Sequence, residues 1–72
     1  MNPEIQLLDV VALTTDIPNR SLVRGQVGTV VEVFSDGQYE VEFIDDNGGT
    51  YALEPLSGRD LLVLRYRPEK AA

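Results

Sequence analysis

The chain contains no cysteine, no histidine and no tryptophan, and each absence removes a class of function. Without cysteine there is no disulfide staple, no thiolate nucleophile and no sulfur ligand for zinc. Without histidine, the side chain whose ordinary titration lies nearest neutral pH is missing, and so is the commonest nitrogen ligand for metals. The serines and threonines therefore lack an obvious activating base, and a lysine base would have to be Lys70, close to the C-terminus. Carboxylate pairs such as Glu40 and Glu42 lie on one short stretch rather than around a pocket. We expect no catalytic residue, no metal ligand and no cofactor, hence a protein that is not an enzyme. Without tryptophan, and without tyrosines in "ALTTD" (Ala12 to Asp16), the aromatic groove that grips a polyproline ligand cannot be built in the usual way.

Basic residues are also scarce, six against twelve acids, for a net charge of −6. Between Gly25 and Gly58 lie Glu32, Asp36, Glu40, Glu42, Asp45, Asp46 and Glu54 with no base among them, while Arg20, Arg24, Arg59, Arg65, Arg67 and Lys70 all lie on the flanks. Such a segment repels phosphate backbones and anionic membranes within about a Debye length, roughly 8 Å at physiological salt. No span approaches the roughly 20 apolar residues of a membrane helix, and the opening "MNPEIQLLDVV" has no basic residue and a broken apolar run. We expect a cytoplasmic protein that does not engage membranes.

What is present is a single small domain. Seventy-two residues with 43% apolar and 25% charged side chains suit one compact unit. No helical period of useful length occurs, whereas alternation recurs. In "QYEVEFID", Tyr39, Val41 and Phe43 fall on one face and Glu40 and Glu42 on the other, the pattern of a strand with one wet side. Asp36-Gly37 before it and Asn47-Gly48 after it are tight-hairpin signals. They make "GQVGTVVEVF", "QYEVEFID" and "GTYALE" a three-stranded meander, with Tyr51 and Leu53 assigned to the core. "DVVALT" and "DLLVLRY" supply the first and last strands. The ten residues of "TDIPNRSLVR" form a long first loop pinned by Ile17 and Leu22, and "PLSGRD" provides a 3₁₀ turn before the last strand. The expected architecture is all-β, a five-stranded SH3-like barrel over residues 7–67, with tails at 1–6 and 68–72.

"LVRGQVGTVVEV" resembles a KOW-type motif, with Gly25, Gly28, Val30 and Val33 at the matching places. That resemblance implies a module that meets RNA, DNA or the ribosome, here through the side bearing Arg20, Arg24 and Arg59. Over Leu7 to Leu64, the string "LLDVVALTTDIP … LVRGQVGTVVEVF … YEVEF … GTYALEPLSGRDLLVL" more closely resembles a family of small bacterial proteins known only as a domain of unknown function. It implies the fold and no activity. From the residues themselves, Gly25 supplies a turn, Gly28 relieves crowding where a strand bends, and the valines fill the core. Asp45, Asn47, Gly48 and Glu54 fall at EF-hand spacing, but Phe43 occupies the first ligand place, so this acidic stretch reads as a hairpin turn.

These observations favour a protein–protein interaction module. Its contacts are Glu32, Glu40, Glu42, Asp45 and Asp46, and its partner is another, basic protein, as for an antitoxin, an immunity protein or a regulatory subunit. An open strand edge near "LLVLRYR" also offers self-association or strand addition. Nucleic acid is the less favoured partner, since the usual cluster of bases and aromatic platform are missing.

Overall fold

In a computed structural model, which describes residues 5–68 and 70, the chain forms one five-stranded antiparallel sheet with two 3₁₀ turns. Of the two expected tails, residues 1–4, 69, 71 and 72 lie outside the described residues. The strands are β1 (Val10–Leu13), β2 (Val27–Val33), β3 (Gln38–Ile44), β4 (Thr50–Ser57) and β5 (Leu61–Val63), in the spatial order β4-β3-β2-β1-β5. The all-β reading and the β2-β3-β4 meander are therefore observed. The sheet is open: β4 and β5 stand at its two edges, and no ladder joins them among the described residues.

Alternation sets the core. Val11 and Leu13 of β1, Val30 of β2, Val41 and Phe43 of β3, Leu56 of β4 and Leu61 of β5 are buried in one cluster, so all five strands turn one face to the same interior. The long first loop closes this interior from outside the sheet. Its ends meet in a bridge between Ile17 and Leu22, the 3₁₀ turn Pro18–Arg20 spans the gap, and Leu22 is buried at 1% exposure.

The two hairpins differ. The first closes on three residues, Ser35, Asp36 and Gly37, inside the Phe34 N–H to Gln38 carbonyl bond (2.9 Å), and Asp36 (φ 67°) and Gly37 (φ 74°) are both left-handed. The second hairpin also closes on three residues, Asp46, Asn47 and Gly48, of which only Gly48 (φ 82°) is left-handed. The Asp45 N–H donates to the Gly49 carbonyl (2.9 Å), and the Asp45 carboxylate accepts from the N–H groups of Asn47 (2.9 Å) and Gly49 (3.0 Å). The second 3₁₀ turn, Gly58–Asp60, is capped by Ser57, whose hydroxyl accepts from the Arg59 N–H at 3.3 Å.

Two strand assignments are corrected. β4 runs on through Pro55 to Ser57, because Pro55 pairs with Glu40 at a position whose N–H would point away from β3. β5 is three residues long rather than seven, and Leu64 makes the last bond to β1. Tyr66 lies beyond the strand, 77% exposed.

One residue pays a backbone cost unexpected from its type. Leu8 adopts φ 71°, a region that costs an L-residue about 1 kcal/mol or more, although its side chain is exposed. Its N–H is committed to the Val30 carbonyl at 2.7 Å, which holds the chain in that bend before β1. Leu8→Gly is expected to raise stability by about 0.5 to 1 kcal/mol, read as a higher urea midpoint at unchanged slope. A lower midpoint would show that the Leu8 side chain contributes more than the bend costs.

Candidate interaction face

The face of the sheet turned away from the core is ordered by the ladder registers. One row crosses Leu62 of β5, Ala12 of β1 and Val27 of β2. The next crosses Val10, Thr29, Glu42 and Leu53, and a third crosses Glu32, Glu40 and Pro55. Val27, Leu53 (51%) and Leu62 are exposed, so the face grades from an apolar end to an acidic end. Between Val30 and Glu32 the register shifts, leaving Val31 as an extra, exposed residue.

At the acidic end, Glu32 stands directly opposite Glu40. Side chains so placed have Cβ atoms about 5 Å apart, and like charges there destabilise the sheet. Neither carboxylate, nor that of Glu42, has a basic partner among the described residues. Glu42 instead accepts a hydrogen bond from the Thr50 hydroxyl. Asp46 is exposed in the hairpin loop, whereas Asp45 is occupied in holding that loop's backbone. The five acids are thus of three kinds: an unrelieved pair, one carboxylate bound to a neighbouring hydroxyl, and two in a turn. No group of three metal-ligating side chains occurs among the described residues.

The three arginines named for nucleic acid stand in different elements: Arg20 ends the first 3₁₀ turn, Arg24 follows it before β2, and Arg59 lies in the second 3₁₀ turn. An Nη of Arg20 lies 2.9 Å from the Glu54 carboxylate. Arg24 follows the first loop, its N–H donating to the Asp16 carboxylate at 2.8 Å. Arg59, in the second 3₁₀ turn, borders a groove with Arg65.

The assignment of Tyr51 and Leu53 to the core is corrected. Phe43 pairs with Ala52 and Val41 with Glu54, which puts Ala52, Glu54 and Leu56 on the inner side and leaves Leu53 outside. A small residue faces the Phe43 ring, and Glu54 at the margin is neutralised by Arg20. A second register shift, between Phe43 and Ile44, leaves Tyr51 unpaired. Its ring rests 6.1 Å from that of Phe43 while its hydroxyl accepts from the Gln26 side-chain amide at 3.1 Å. Leu53 is thereby a part of the outer face that alternation alone did not reveal. The proline two residues on, tolerable only on an outer edge, is the signal in the sequence that marks this parity.

Residues 7–63 match a family described as "Domain of unknown function (DUF4926)". The chain belongs to this family. The match runs from the bend before β1 to the end of β5, so the domain of unknown function covers the whole sheet and both of the surfaces at issue. Neither the curated proteins nor the solved structures contain a match. No helix among the described residues is long and apolar enough to cross a membrane.

Proposed function

We propose that this SH3-like sheet is a non-enzymatic protein–protein interaction module whose outer face, from Leu53 and Glu42 to Glu32 and Glu40, receives a basic protein. The observation that carries this reading is the Glu32–Glu40 pair, two like charges in register with no ion-pair partner among the described residues. A sheet that needed only to be solvated would gain from a base at either position. Cationic groups of a partner would relieve the repulsion on binding, and the adjacent Leu53 and Val31 supply apolar area that an acidic surface alone lacks. Glu42, Asp45 and Asp46 extend the field that guides the encounter. A regulatory or neutralising subunit for a basic protein fits this chemistry.

Two outcomes are expected together. Glu40→Lys converts the like pair into an opposite one and raises stability by about 0.5 kcal/mol in urea unfolding. With Glu42→Lys added, immobilised protein no longer retains the basic protein that the unaltered chain captures from its native cell and releases in salt. Retention of the same protein by the folded double variant, with the same salt dependence, sinks the proposal.

A further inference from the structure

A second surface of opposite charge runs along the free edge of β5. Four of the six bases, Arg59, Arg65, Arg67 and Lys70, lie from residue 59 onward, against only Asp60 and Glu69. A groove of about 430 Å³ is bordered there by Arg59 and Arg65 and floored by Ile5, Leu61, Leu62 and Val63. Successive side chains of a strand point to opposite faces, so a groove that touches three in a row follows the strand's edge and does not lie on either face.

Among the described residues, nothing bonds to the outward backbone groups of that edge. The Leu64 N–H donates to the Val10 carbonyl (2.9 Å) and the Thr14 N–H to the Asp60 carbonyl (2.9 Å), which sets the even-numbered residues of β5 toward β1. Val63 therefore turns its N–H and C=O outward, as does the Leu61 carbonyl; the Leu61 N–H is taken by Gly58. The opposite edge of the sheet is protected. On β4 the bonded partners of β3 include the Gly58 N–H to the Gly37 carbonyl, so Pro55 falls on the outer side and removes a donor there. Among the described residues, the β5 edge combines outward backbone groups with an apolar floor and flanking cations.

We infer that the β5 edge takes up an extended acidic segment of a partner protein as a sixth strand, antiparallel or parallel to β5. Main-chain bonds to Val63 hold it, and its carboxylates meet Arg59 and Arg65. A second copy joined β5 to β5 by a two-fold axis would bring these arginines against their own mates, which disfavours that occupant. This surface is independent of the acidic outer face and neither requires the other.

The test uses the full chain and a fluorescent hexapeptide alternating Glu and Val, with a Lys-Val counterpart. Fluorescence anisotropy is expected to show binding of the acidic peptide alone, weakening at least about tenfold between roughly 20 and 300 mM salt and in Arg59→Glu/Arg65→Glu. By NMR, exchange of the Val63 amide should slow at least about tenfold on binding, as a newly made main-chain bond requires. Glu40→Lys/Glu42→Lys should bind the peptide at least as well as the unaltered chain, which separates this site from the outer face. Equal binding of both peptides, no binding at low salt, or binding without protection of Val63 overturns the inference. So does a concentration-dependent dimer that excludes the peptide and dissociates in the Arg59→Glu/Arg65→Glu variant, which would assign the edge to a second copy.

Discussion

Gly28→Ala is expected to destabilise the fold by about 3 kcal/mol, the upper end of what overpacking usually costs. A Cβ at this position would lie 2.6 Å from Cγ1 of Val41 and 2.8 Å from the carbonyl oxygen of Glu42. The valine can rotate only within a full core, since it is wholly buried. The carbonyl belongs to the β3 backbone and cannot withdraw without breaking the ladder. Gly28 is opposite Phe43 in that ladder and opposite Val11 in the next, so the displacement would be felt on both sides of β2. Urea unfolding measures the loss. Adding Val41→Ala removes one of the two obstructions, so the double variant should be less destabilised than the two single losses added together, though still below the parent. A Gly28→Ala protein as stable as the parent would show that β2 and β3 can admit the methyl group and would remove the steric account of this glycine. By contrast Gly25, at φ 93° with open space beside it, is held by its conformation alone.

That contrast shows which parts of the molecule local sequence can reveal. The faces of β3 follow from a strict alternation of Tyr39, Val41 and Phe43 with Glu40 and Glu42, because a strand with one buried side admits only one parity. Asp36-Gly37 is legible for a similar reason: two consecutive left-handed residues suit few other pairs. Leu22 and Ile17 are legible as pins because an apolar pair in a polar loop has to be buried somewhere. β4 is different. Tyr51 and Leu53 offer larger apolar surfaces than Ala52 and Glu54, so composition points the wrong pair inward. Register overrides it: the Phe43 ring fills the space that a larger residue at 52 would need, and Arg20, thirty-four residues upstream of Glu54, neutralises the acid that is turned inward. Neither fact lies within a local window. The same holds for the candidate surfaces. The acids of β3 were visible on one side, but the opposition of Glu32 to Glu40 depends on the extra residue at Val31. The pairing of Arg59 with Arg65 around a groove depends on β5 ending at Val63.

The net charge of −6 accordingly divides into two surfaces of opposite preference. The outer face of β2, β3 and β4 carries carboxylates with an apolar margin, and the β5 edge carries cations over an apolar floor. A partner that is basic throughout would be drawn to the first and repelled from the second, which fixes how it approaches. A partner with a basic body and an acidic extended tail could occupy both at once, with the gain in effective concentration that a linked pair of contacts brings.

Phe43→Ala is expected to cost about 3 to 5 kcal/mol, the range for truncating a fully buried aromatic. Seventy-two residues at ordinary stability per residue amount to roughly 4 to 10 kcal/mol in all, so the variant should lose about half of its stability and unfold at a markedly lower temperature. The loss exceeds simple transfer because the ring also supports Tyr51 at 6.1 Å and faces Ala52, which cannot fill the void. Phe43→Leu keeps most of the volume and should lose clearly less. One position along the paired strand, Leu53→Ser gives the complementary result. Leu53 is opposite Glu42 on the outer face, half exposed, so its truncation should change stability by less than about 0.5 kcal/mol. Yet in a partner complex centred on this face it should weaken binding at least about tenfold, because an apolar side chain among carboxylates is where desolvation is gained. Thermal unfolding of both variants, set beside retention of the captured basic protein, separates the two roles. If Leu53→Ser unfolds as readily as Phe43→Ala, Leu53 belongs to the core after all and the outer face loses its apolar contact. If it stays folded and retains the partner unchanged, the contact lies elsewhere on the sheet.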